Sequence, residues 1–378
     1  MEKKGENFRE VTFAKDYLDA FAERTGIVEG KGDAANRYLW TDAFAVHCIF
    51  ALFKLTKDQK YHQIALRLID LVHFHLGRFH PEDSRIGWIS GLSEEEGKNH
   101  PTAGGLRIGK KHLERNPNEA FQEQFEWERD GQYFHYISRW IVVLLQAQKE
   151  TGDEKYLNWA AELLLASEKF ISEENGELRM YWKMSTDLSR PLINSMGSHD
   201  PLEGLICAAT IKENLPKRND ELNAVLQNFK KLCTGKDWIT TDPLGIGGLL
   251  ITSVRASALK NDEDLPSSSK PQKLLENSLY SLKNFRRFNS LNGPANQRLA
   301  FRECGLSLGL RVLDGAKENS KNDIAAEFDA YIPLADKVES FWESPENQKS
   351  ATWTEHLNIN SISLASSLFA KFSPESFG

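Results

Sequence analysis

The chain has 378 residues, of which 40% are hydrophobic and 27% charged, and this balance is ordinary for a folded globular protein. Its 54 acidic residues outnumber its 47 basic residues, which argues against a surface built to bind nucleic acid or an anionic membrane. The length fits either two or three ordinary domains or one large domain built from repeats.

Cysteine usage and the N-terminal segment indicate a cytoplasmic protein. The four cysteines form no CxxC pair and three of them lie in apolar helical runs, so we interpret them as buried thiols. The segment MEKKGENFREVTF lacks the apolar core of a secretory signal, although a chain stripped of its natural leader would look the same. No apolar run is expected to approach the roughly 18 residues of a membrane span. The sequence leaves monomer and homo-oligomer both open.

The first predicted helices differ in character. An amphipathic helix begins near residue 8 and stops at Gly26. The next helix, residues 41–56, is apolar on nearly every side and must therefore be buried. Asp42 at its start either caps the helix or faces an enclosed cavity. After a short turn, a second amphipathic helix runs to Gly77.

This pairing of a buried helix with an amphipathic helix recurs along the chain. Further pairs begin near residues 132, 200, 242 and 299, and Pro333 should kink or restart the outer helix of the last pair. The final apolar helix has no partner after it, and the N-terminal helix is free to take that place. The pattern predicts six inner and six outer helices, in either a closed ring or an irregular open α-solenoid.

This alternation, together with turns such as TGDEKYLNWA at residues 151–160, resembles the six-hairpin, glycosidase-like (α/α)6 toroid of many carbohydrate-active proteins. The resemblance covers nearly the whole chain. It implies an all-α toroid formed as a single domain by residues 1–378, in which the N- and C-terminal helices close the sixth hairpin.

The connections that precede the inner helices are long, and all of them fall at one end of the predicted ring. They comprise residues 78–129, 172–198, 287–298 and 344–353. Long loops gathered on one face are where function commonly resides. Residues 176–184 alternate as a short β-strand does, with a hairpin partner in the flanks. Residues 79–129 are the predicted cap over the mouth of the cavity.

Polar and aromatic residues cluster at the starts of the inner helices and would converge on one pocket in a toroid. Carboxylates, histidines, arginines and aromatic rings are the groups that a sugar site needs. The candidate catalytic residues are Asp42, His199, Asp200, Glu303, Glu355 and His356. The candidate substrate-binding residues are Arg37, Trp40, Asp130, Tyr133, His135, Asp242, Arg302 and Asn358.

Several of these carboxylates have a structural alternative. Asp200 and Asp242 each precede a proline at a helix start, where an N-cap aspartate is expected. Glu303 and Glu355 lie just inside their helices, where each could pair with a neighbouring arginine or histidine.

Three further patterns favour structural over chemical roles. His47 lies in an apolar run and is interpreted as a hydrogen-bonded core histidine. The glycines of residues 245–248 follow no strand and indicate close helix packing rather than a phosphate loop. The histidines show neither HxxxH nor HExxH spacing, so no metal and no cofactor are expected.

The resemblance implies three functional hypotheses. The first is a glycoside hydrolase, inverting as many six-hairpin proteins are, which acts on an oligosaccharide or a uronic-acid-containing glycoside through two of the four carboxylates. The second is a sugar epimerase similar to N-acylglucosamine 2-epimerase, with His199 and His356 as the acid and base. The segments SHDPLEGL and WTEHLNIN support this hypothesis, because they resemble the histidine- and glutamate-bearing helix starts of that group. The third is a non-catalytic binding scaffold.

Overall fold

Six helical hairpins form the architecture of the protein. The computed structural model describes residues 2–215, 219–288, 291–317 and 323–378. The inner helices are α2 (Leu39–Thr56), α6 (Phe134–Thr151), α8 (Asp200–Asn214), α10 (Pro243–Ser257), α12 (Ala300–Ala316) and α15 (Leu357–Ala370). Their outer partners are α3 (Gln59–Leu76), α7 (Glu154–Ser167), α9 (Asn219–Cys233), α11 (Pro271–Phe288), α13 (Ile332–Glu343) and α1 (Glu2–Arg24).

The inner helices close into a ring. Each of them packs against the next in chain order, and α15 contacts both α12 and α2. Helix α1 packs on the outside of α15, so the two ends of the chain complete the sixth hairpin. The predicted (α/α)6 toroid is therefore confirmed, and the open α-solenoid is not. We call the end of the ring where the inner helices begin the front mouth, and the opposite end the rear mouth.

Helix α2 shows how the ring buries apolar sequence. It is 18 residues long and, by length and composition alone, apolar enough to cross a membrane, which corrects the expectation that no segment has that character. In the fold, 78% of this segment is buried against the neighbouring helices. The four cysteines are also buried and unpaired, as predicted.

Two hairpin turns at the rear mouth share the same aspartate N-cap. Asp58 and Asp153 cap α3 and α7, each accepting a hydrogen bond of 3.0 Å from the backbone N–H two residues later. Gly152, in the left-handed region at φ 72°, ends α6. A 3-10 helix (Asp323–Ala330) precedes α13, whose first turn contains Pro333, so the predicted restart is confirmed.

Short strands and helices shape the front mouth. Strands β2 (Ile171–Glu174) and β3 (Glu177–Met180) form an antiparallel hairpin, and β1 (Gln132–Tyr133), β4 (Lys183–Met184) and β5 (Pro191–Ile193) form a second antiparallel sheet in the order β1-β4-β5. The strand predicted over residues 176–184 is thus present as two strands with different partners. Short helices α4 (Glu94–Asn99), α5 (Glu123–Glu126) and α14 (Ala351–Thr354) lie in the long connections.

Residues 79–129 are tied to the second sheet by buried charges. The ammonium of Lys183 donates to the carboxylate of Glu126 at 3.0 Å and to its carbonyl oxygen at 2.7 Å. Arg115 pairs with the same carboxylate at 3.0 Å. Two residues of this segment, Lys110 and Trp127, line the cavity described below. That this segment acts as a cap stays a prediction.

Helices α10 and α12 approach each other unusually closely, because glycines face each other across the contact. A Cβ atom on Gly247 would lie 1.9 Å from the carbonyl oxygen of Gly305, and one on Gly309 would lie 2.5 Å from that of Gly247. No side chain fits there without moving backbone. The interpretation of residues 245–248 as close helix packing is confirmed.

We expect Gly247→Ala to lower the free energy of unfolding by about 1–3 kcal/mol, because the added methyl group pushes α10 away from α12. Gly293→Ala is the matched control, since its Cβ would meet nothing closer than 3.9 Å. Urea unfolding of both variants measures the difference. Equal stabilities would show that the two helices are not held at this separation.

Candidate active site

A cavity of about 580 Å³ opens at the front mouth. Two groups of side chains line it. The aromatic wall, from α2, α6 and the loops beside them, consists of Tyr38, Trp40, Phe44, Trp127, Tyr133, His135, Tyr136 and Trp182. The polar wall, mainly from the starts of α8, α10 and α12, consists of Arg139, His199, Asp200, Glu203, Asp242 and Arg302.

Hydrogen bonds and ring contacts fix the aromatic wall. The indole N–H of Trp182 donates to Nδ1 of His135 at 3.0 Å, and the two rings stack at 5.8 Å. Burial lowers the pKa of His135 to about 3, so the ring is neutral and carries its hydrogen on Nε2. The hydroxyls of Tyr38 and Tyr136 are 2.6 Å apart. The wall therefore presents rigid rings with a few polar atoms at their edges.

Asp200 is the unusual member of the polar wall. The carboxyl groups of seven acidic residues are buried among the residues that the structure describes: Asp42, Glu126, Asp130, Asp200, Glu203, Glu303 and Glu339. Each of the others has an arginine or lysine nitrogen within 4 Å. Asp200 has none, and its Oδ2 atom has no hydrogen-bond partner.

Burial, and next the negative charge of Glu203, raise the pKa of Asp200 to about 8. A hydrogen bond from the Gly197 backbone and the positive charge of Arg139 oppose this rise without cancelling it. The carboxyl group is consequently protonated at neutral pH. A protonated carboxyl on a cavity wall can donate its proton to a bound substrate.

Glu203 lies one helical turn after Asp200 on α8 and has a different environment. Its Oε2 accepts a hydrogen bond of 2.6 Å from the Ser138 hydroxyl, and its Oε1 pairs with the guanidinium of Arg139. Both oxygens are engaged, so Glu203 is a fixed neighbour of Asp200. The i, i+3 spacing of the two carboxyls on one helix face is the sequence signal that could have singled out Glu203.

His199 and Asp242 complete the polar wall. Nε2 of His199 donates to the carbonyl oxygen of Trp238 at 3.0 Å, which leaves Nδ1 as an acceptor, and burial lowers the pKa of this ring. Asp242 caps α10 through a 3.1 Å hydrogen bond from the Gly245 N–H and also pairs with Arg302 at 2.6 Å. The capping alternative is therefore confirmed for Asp242, and its second oxygen, Oδ1, accepts the hydrogen bond from Arg302 at the cavity wall.

The capping alternative is wrong for Asp200. Helix α8 has no side-chain N-cap; His199 occupies the N-cap position and Asp200 follows as the first helical residue. Its carboxyl turns instead towards Gly197, where an added Cβ would lie 2.3 Å from Oδ2.

Half of the predicted site residues line the cavity together, and they are Trp40, Tyr133, His135, His199, Asp200, Asp242 and Arg302. Four others are buried in ion pairs behind the walls. Arg37 pairs with Asp42 at 3.5 Å and also donates to the carbonyl oxygen of Thr25. Burial raises the pKa of Asp42 to about 6. This pair anchors the segment between α1 and α2, and does not line the cavity.

The other two buried groups have structural partners as well. Asp130 pairs with Arg107 and thereby holds the long connection against the second sheet. Glu303 pairs with Arg298 at 2.7 Å and accepts a 2.8 Å hydrogen bond from Trp342, which joins α12 to α13. The expected partner of Glu303, Arg302, pairs with Asp242 instead.

The three predicted residues at the start of α15 do not line the cavity, although Ile359 in its first turn does. The side chains of Glu355 and His356 are exposed, and Asn358 accepts a 3.0 Å hydrogen bond from Arg24 of α1. The helix begins at Leu357, three residues later than predicted, after the separate short helix α14. This shift moves the three side chains to the outer surface and does not support a role for them in the cavity.

Cavity residues outside the predicted set include the aromatic and charged side chains of Tyr38, Phe44, Lys110, Trp127, Tyr136, Arg139, Trp182 and Glu203. Trp182 lies in the predicted strand and Trp127 in the predicted cap, so their aromatic character was the available signal. Among the described residues, no group of three histidine, cysteine or acidic side chains could hold a metal ion.

We expect the stability of the wild-type protein to fall relative to Asp200→Asn as pH rises from about 4 to about 8. In this window the unfolded carboxyl has lost its proton and the folded one keeps it, so the folded state binds one more proton, and stability drops by up to about 1.4 kcal/mol per pH unit. The neutral amide has no such dependence. Urea unfolding at pH 5, 7 and 9 measures it.

Asp16→Asn, on the exposed face of α1, is the matched control and should follow the wild type at every pH. A constant difference between wild type and Asp200→Asn across this range would contradict the raised pKa.

Comparison with known proteins supports the fold. No protein-family model and no curated protein sequence matches this chain. Among solved structures, a GH76 α-mannanase from Bacteroides thetaiotaomicron is similar with a TM-score of 0.57 and 12% identity, over 97% of this chain and 96% of that one. The GH76A α-1,6-mannanase from Salegentibacter sp. gives 0.54 and 12%, over 97% and 99%.

An inactive variant of the Salegentibacter enzyme, in which two consecutive aspartates are replaced by asparagine, was solved with α-1,6-mannotriose and gives a TM-score of 0.52 at 12% identity, over 97% of this chain and 99% of that one. At such low identity these likenesses show the fold and no particular family. The protein has the six-hairpin, glycosidase-like (α/α)6 toroid fold.

Proposed function

We propose that this protein is a carbohydrate-active enzyme, a glycoside hydrolase that cleaves an oligosaccharide in the front cavity with Asp200 as its proton donor. The observation that carries the proposal is the buried, unpaired Asp200 carboxyl on the cavity wall, with its pKa raised to about 8. The similar solved structures named as mannanases are enzymes of this class with the same fold.

The cavity has the features of a sugar-binding site. Its volume of about 580 Å³ falls within the range of about 300–1,000 Å³ common for small-molecule sites. Rings such as Trp40 and Trp182 offer apolar faces for the C–H side of a sugar. Nε2–H of His135 and Nδ1 of His199 offer a donor and an acceptor for hydroxyl groups, and the Arg302–Asp242 pair offers both.

In the proposed reaction, the Asp200 carboxyl gives its proton to the glycosidic oxygen as the bond from that oxygen to the anomeric carbon breaks. The negative charge of Glu203 beside it favours the positive charge that develops on the sugar ring. A water attacks the anomeric carbon and loses a proton to the Asp242 carboxylate. The products are a leaving-group alcohol and a free reducing sugar, after which the proton returns from Asp242 to Asp200 through solvent.

Asp242 suits the base role better than Glu203, because its side chain is 37% exposed and can meet a water in the cavity, whereas that of Glu203 is only 9% exposed. Asp200 and Asp242 start neighbouring inner helices, α8 and α10, which are in contact. Packed helices lie about 8–10 Å apart, and carboxyls about 6.5–9.5 Å apart are typical of inverting enzymes. We therefore propose inversion of the anomeric configuration.

The substrate is proposed to differ from that of the mannanases. The Salegentibacter variant was inactivated at two consecutive aspartates, and no two aspartates are consecutive anywhere in this chain. Lys110 lines the cavity with its ammonium 5.2 Å from the centre of the Tyr38 ring. Together with Arg302, it could bind the carboxylate of a uronic acid. An oligosaccharide that carries a uronic acid is accordingly the first substrate to test.

A sugar epimerase is the second candidate, and one observation favours it. Two neutral histidines, His135 and His199, line the same cavity. The pair first predicted, His199 with His356, is not brought together, because His356 is exposed outside the cavity. An epimerase would therefore use His135 and His199 to remove and return a proton beside a carbonyl group.

We expect proton NMR of the protein with a panel of neutral and uronic-acid oligosaccharides to show new reducing-end anomeric signals of inverted configuration. Asp200→Asn should slow their appearance by about 100- to 10,000-fold, because general acid catalysis contributes about that much. Asp16→Asn, with an exposed side chain, should retain the full rate.

Three results would count against this proposal. Cleavage that is unchanged in Asp200→Asn would remove Asp200 from the mechanism. Solvent deuterium entering carbon 2 of a free sugar, without cleavage, would favour the epimerase. Binding of sugars without any turnover would favour the non-catalytic scaffold.

A further inference from the structure

Arg255 is a buried cation without a counter-ion. Seven basic side chains are buried among the residues that the structure describes: Arg37, Arg107, Arg139, Lys183, Arg255, Arg298 and Arg311. Each of the other six has a carboxylate within 4 Å. Arg255 has none; its Nη1 atom lacks a hydrogen-bond partner, and its Nη2 atom donates only to the sulfur of Cys207, at 3.4 Å.

This environment is unfavourable for a guanidinium group. Arginine stays charged at any pH the protein meets, so it cannot escape the cost of burial by losing its proton. A buried charge without a partner is strongly destabilising. Arg255 lies in the last turn of α10, where the helix dipole favours a cation, but this effect offsets only a small part of the cost.

Arg255 lines a second cavity, of about 360 Å³, at the rear mouth. The ends of α6, α8 and α10 form its walls, and residues 375–378 border it. Its volume also falls in the range of small-molecule sites, about 300–1,000 Å³. The front and rear cavities share no lining residue, so this is a separate site.

The acidic side chains around the rear cavity are engaged elsewhere. Lys54 pairs with Glu150 at 2.9 Å and with Glu375 at 3.6 Å. The carboxylate of Glu213 accepts hydrogen bonds from the backbone N–H groups of Lys260 and Asn261, at 3.3 and 3.0 Å. None of these carboxylates neutralises Arg255.

The remaining titratable side chains of the cavity are two lysines and a histidine. The side chains of Lys149 and Lys260 are exposed at its edge and add positive charge. His47 is buried beside Gln146, as predicted for a core histidine, and burial lowers its pKa to about 4, so it is neutral.

We propose that the rear cavity is a binding site for a small oxyanion ligand, a carboxylate or a phosphate, held by the guanidinium of Arg255. A guanidinium presents its N–H groups in a planar fork that matches two oxygens of such an anion. The bound anion would supply the counter-charge that the protein itself does not.

The test is thermal unfolding of the full chain at constant ionic strength, with chloride replaced stepwise by phosphate or by citrate. Binding to the folded state alone raises the unfolding midpoint with the logarithm of the anion concentration once that concentration exceeds the dissociation constant, here by about 2 °C or more. Isothermal titration calorimetry should give one site per chain. A response to only one of the two anions identifies whether the ligand is a phosphate or a carboxylate.

Two sets of variants locate the site. Arg255→Gln should abolish the rise, whereas Arg67→Gln, the same change at a half-exposed arginine of α3, should leave it intact. Ala258→Glu, at the edge of the rear cavity, should abolish it by charge repulsion, and the uncharged Ala258→Gln should not. The Ala258 pair decides the question if Arg255→Gln fails to fold.

The proposal is overturned if neither anion raises the midpoint, if calorimetry shows no saturable binding, or if the rise persists in Ala258→Glu. None of these readouts depends on sugar cleavage. Failure of the hydrolase proposal and failure of the anion site are therefore distinguishable.

Discussion

Closure of the ring by the two ends of the chain is the constraint on which the rest of the structure depends. Inner helices such as α2 and α15 are apolar on most sides and are stable only when each is covered by two inner neighbours and an outer helix. Contact of α15 with α2 provides the last of these covers. It also gathers the starts of the six inner helices around one mouth, which is why residues far apart in sequence share a cavity.

Inside the ring, most buried charged side chains are paired with an opposite charge and stabilise the fold. The pairs Arg37–Asp42, Arg107–Asp130 and Arg298–Glu303 hold connecting segments in place, and none of these residues lines the front cavity. Asp200 and Arg255 are the two exceptions among the buried acidic, lysine and arginine side chains that the structure describes, and they line different cavities. A buried group without its partner is costly, and it persists where a proton, a substrate or a ligand completes it.

The fold was predictable from the sequence because helix periodicity and burial are local signals. The pairing of apolar and amphipathic helices gave the hairpins, and turn residues such as Asp153 and Gly152 marked their ends. The seven predicted residues that line the cavity were found because helix starts meet at one mouth. Trp40 and Asp242 illustrate this, since each lies within the first turn or at the cap of its helix.

The remaining site residues depended on partners that no local pattern reveals. Glu303 looked available because its partner, Arg298, precedes α12 in an irregular segment. Glu355 and His356 were placed on a helix that begins only at Leu357. The pKa of Asp200 is raised because the carboxyl is buried beside Glu203 without a cation in contact. No local sequence pattern shows that such a cation is absent.

The central claim is that Asp200 holds a proton at neutral pH. Difference infrared spectroscopy of the wild-type protein against Asp200→Asn tests it directly, because only a protonated carboxyl has a carbonyl stretch separate from the carboxylate bands. We predict a band that is present at pH 7, lost with a midpoint near pH 8, and absent from the variant at every pH. Loss of this band below pH 5 would mean that Asp200 is an ordinary ionised carboxylate, and would contradict its role as the proton donor.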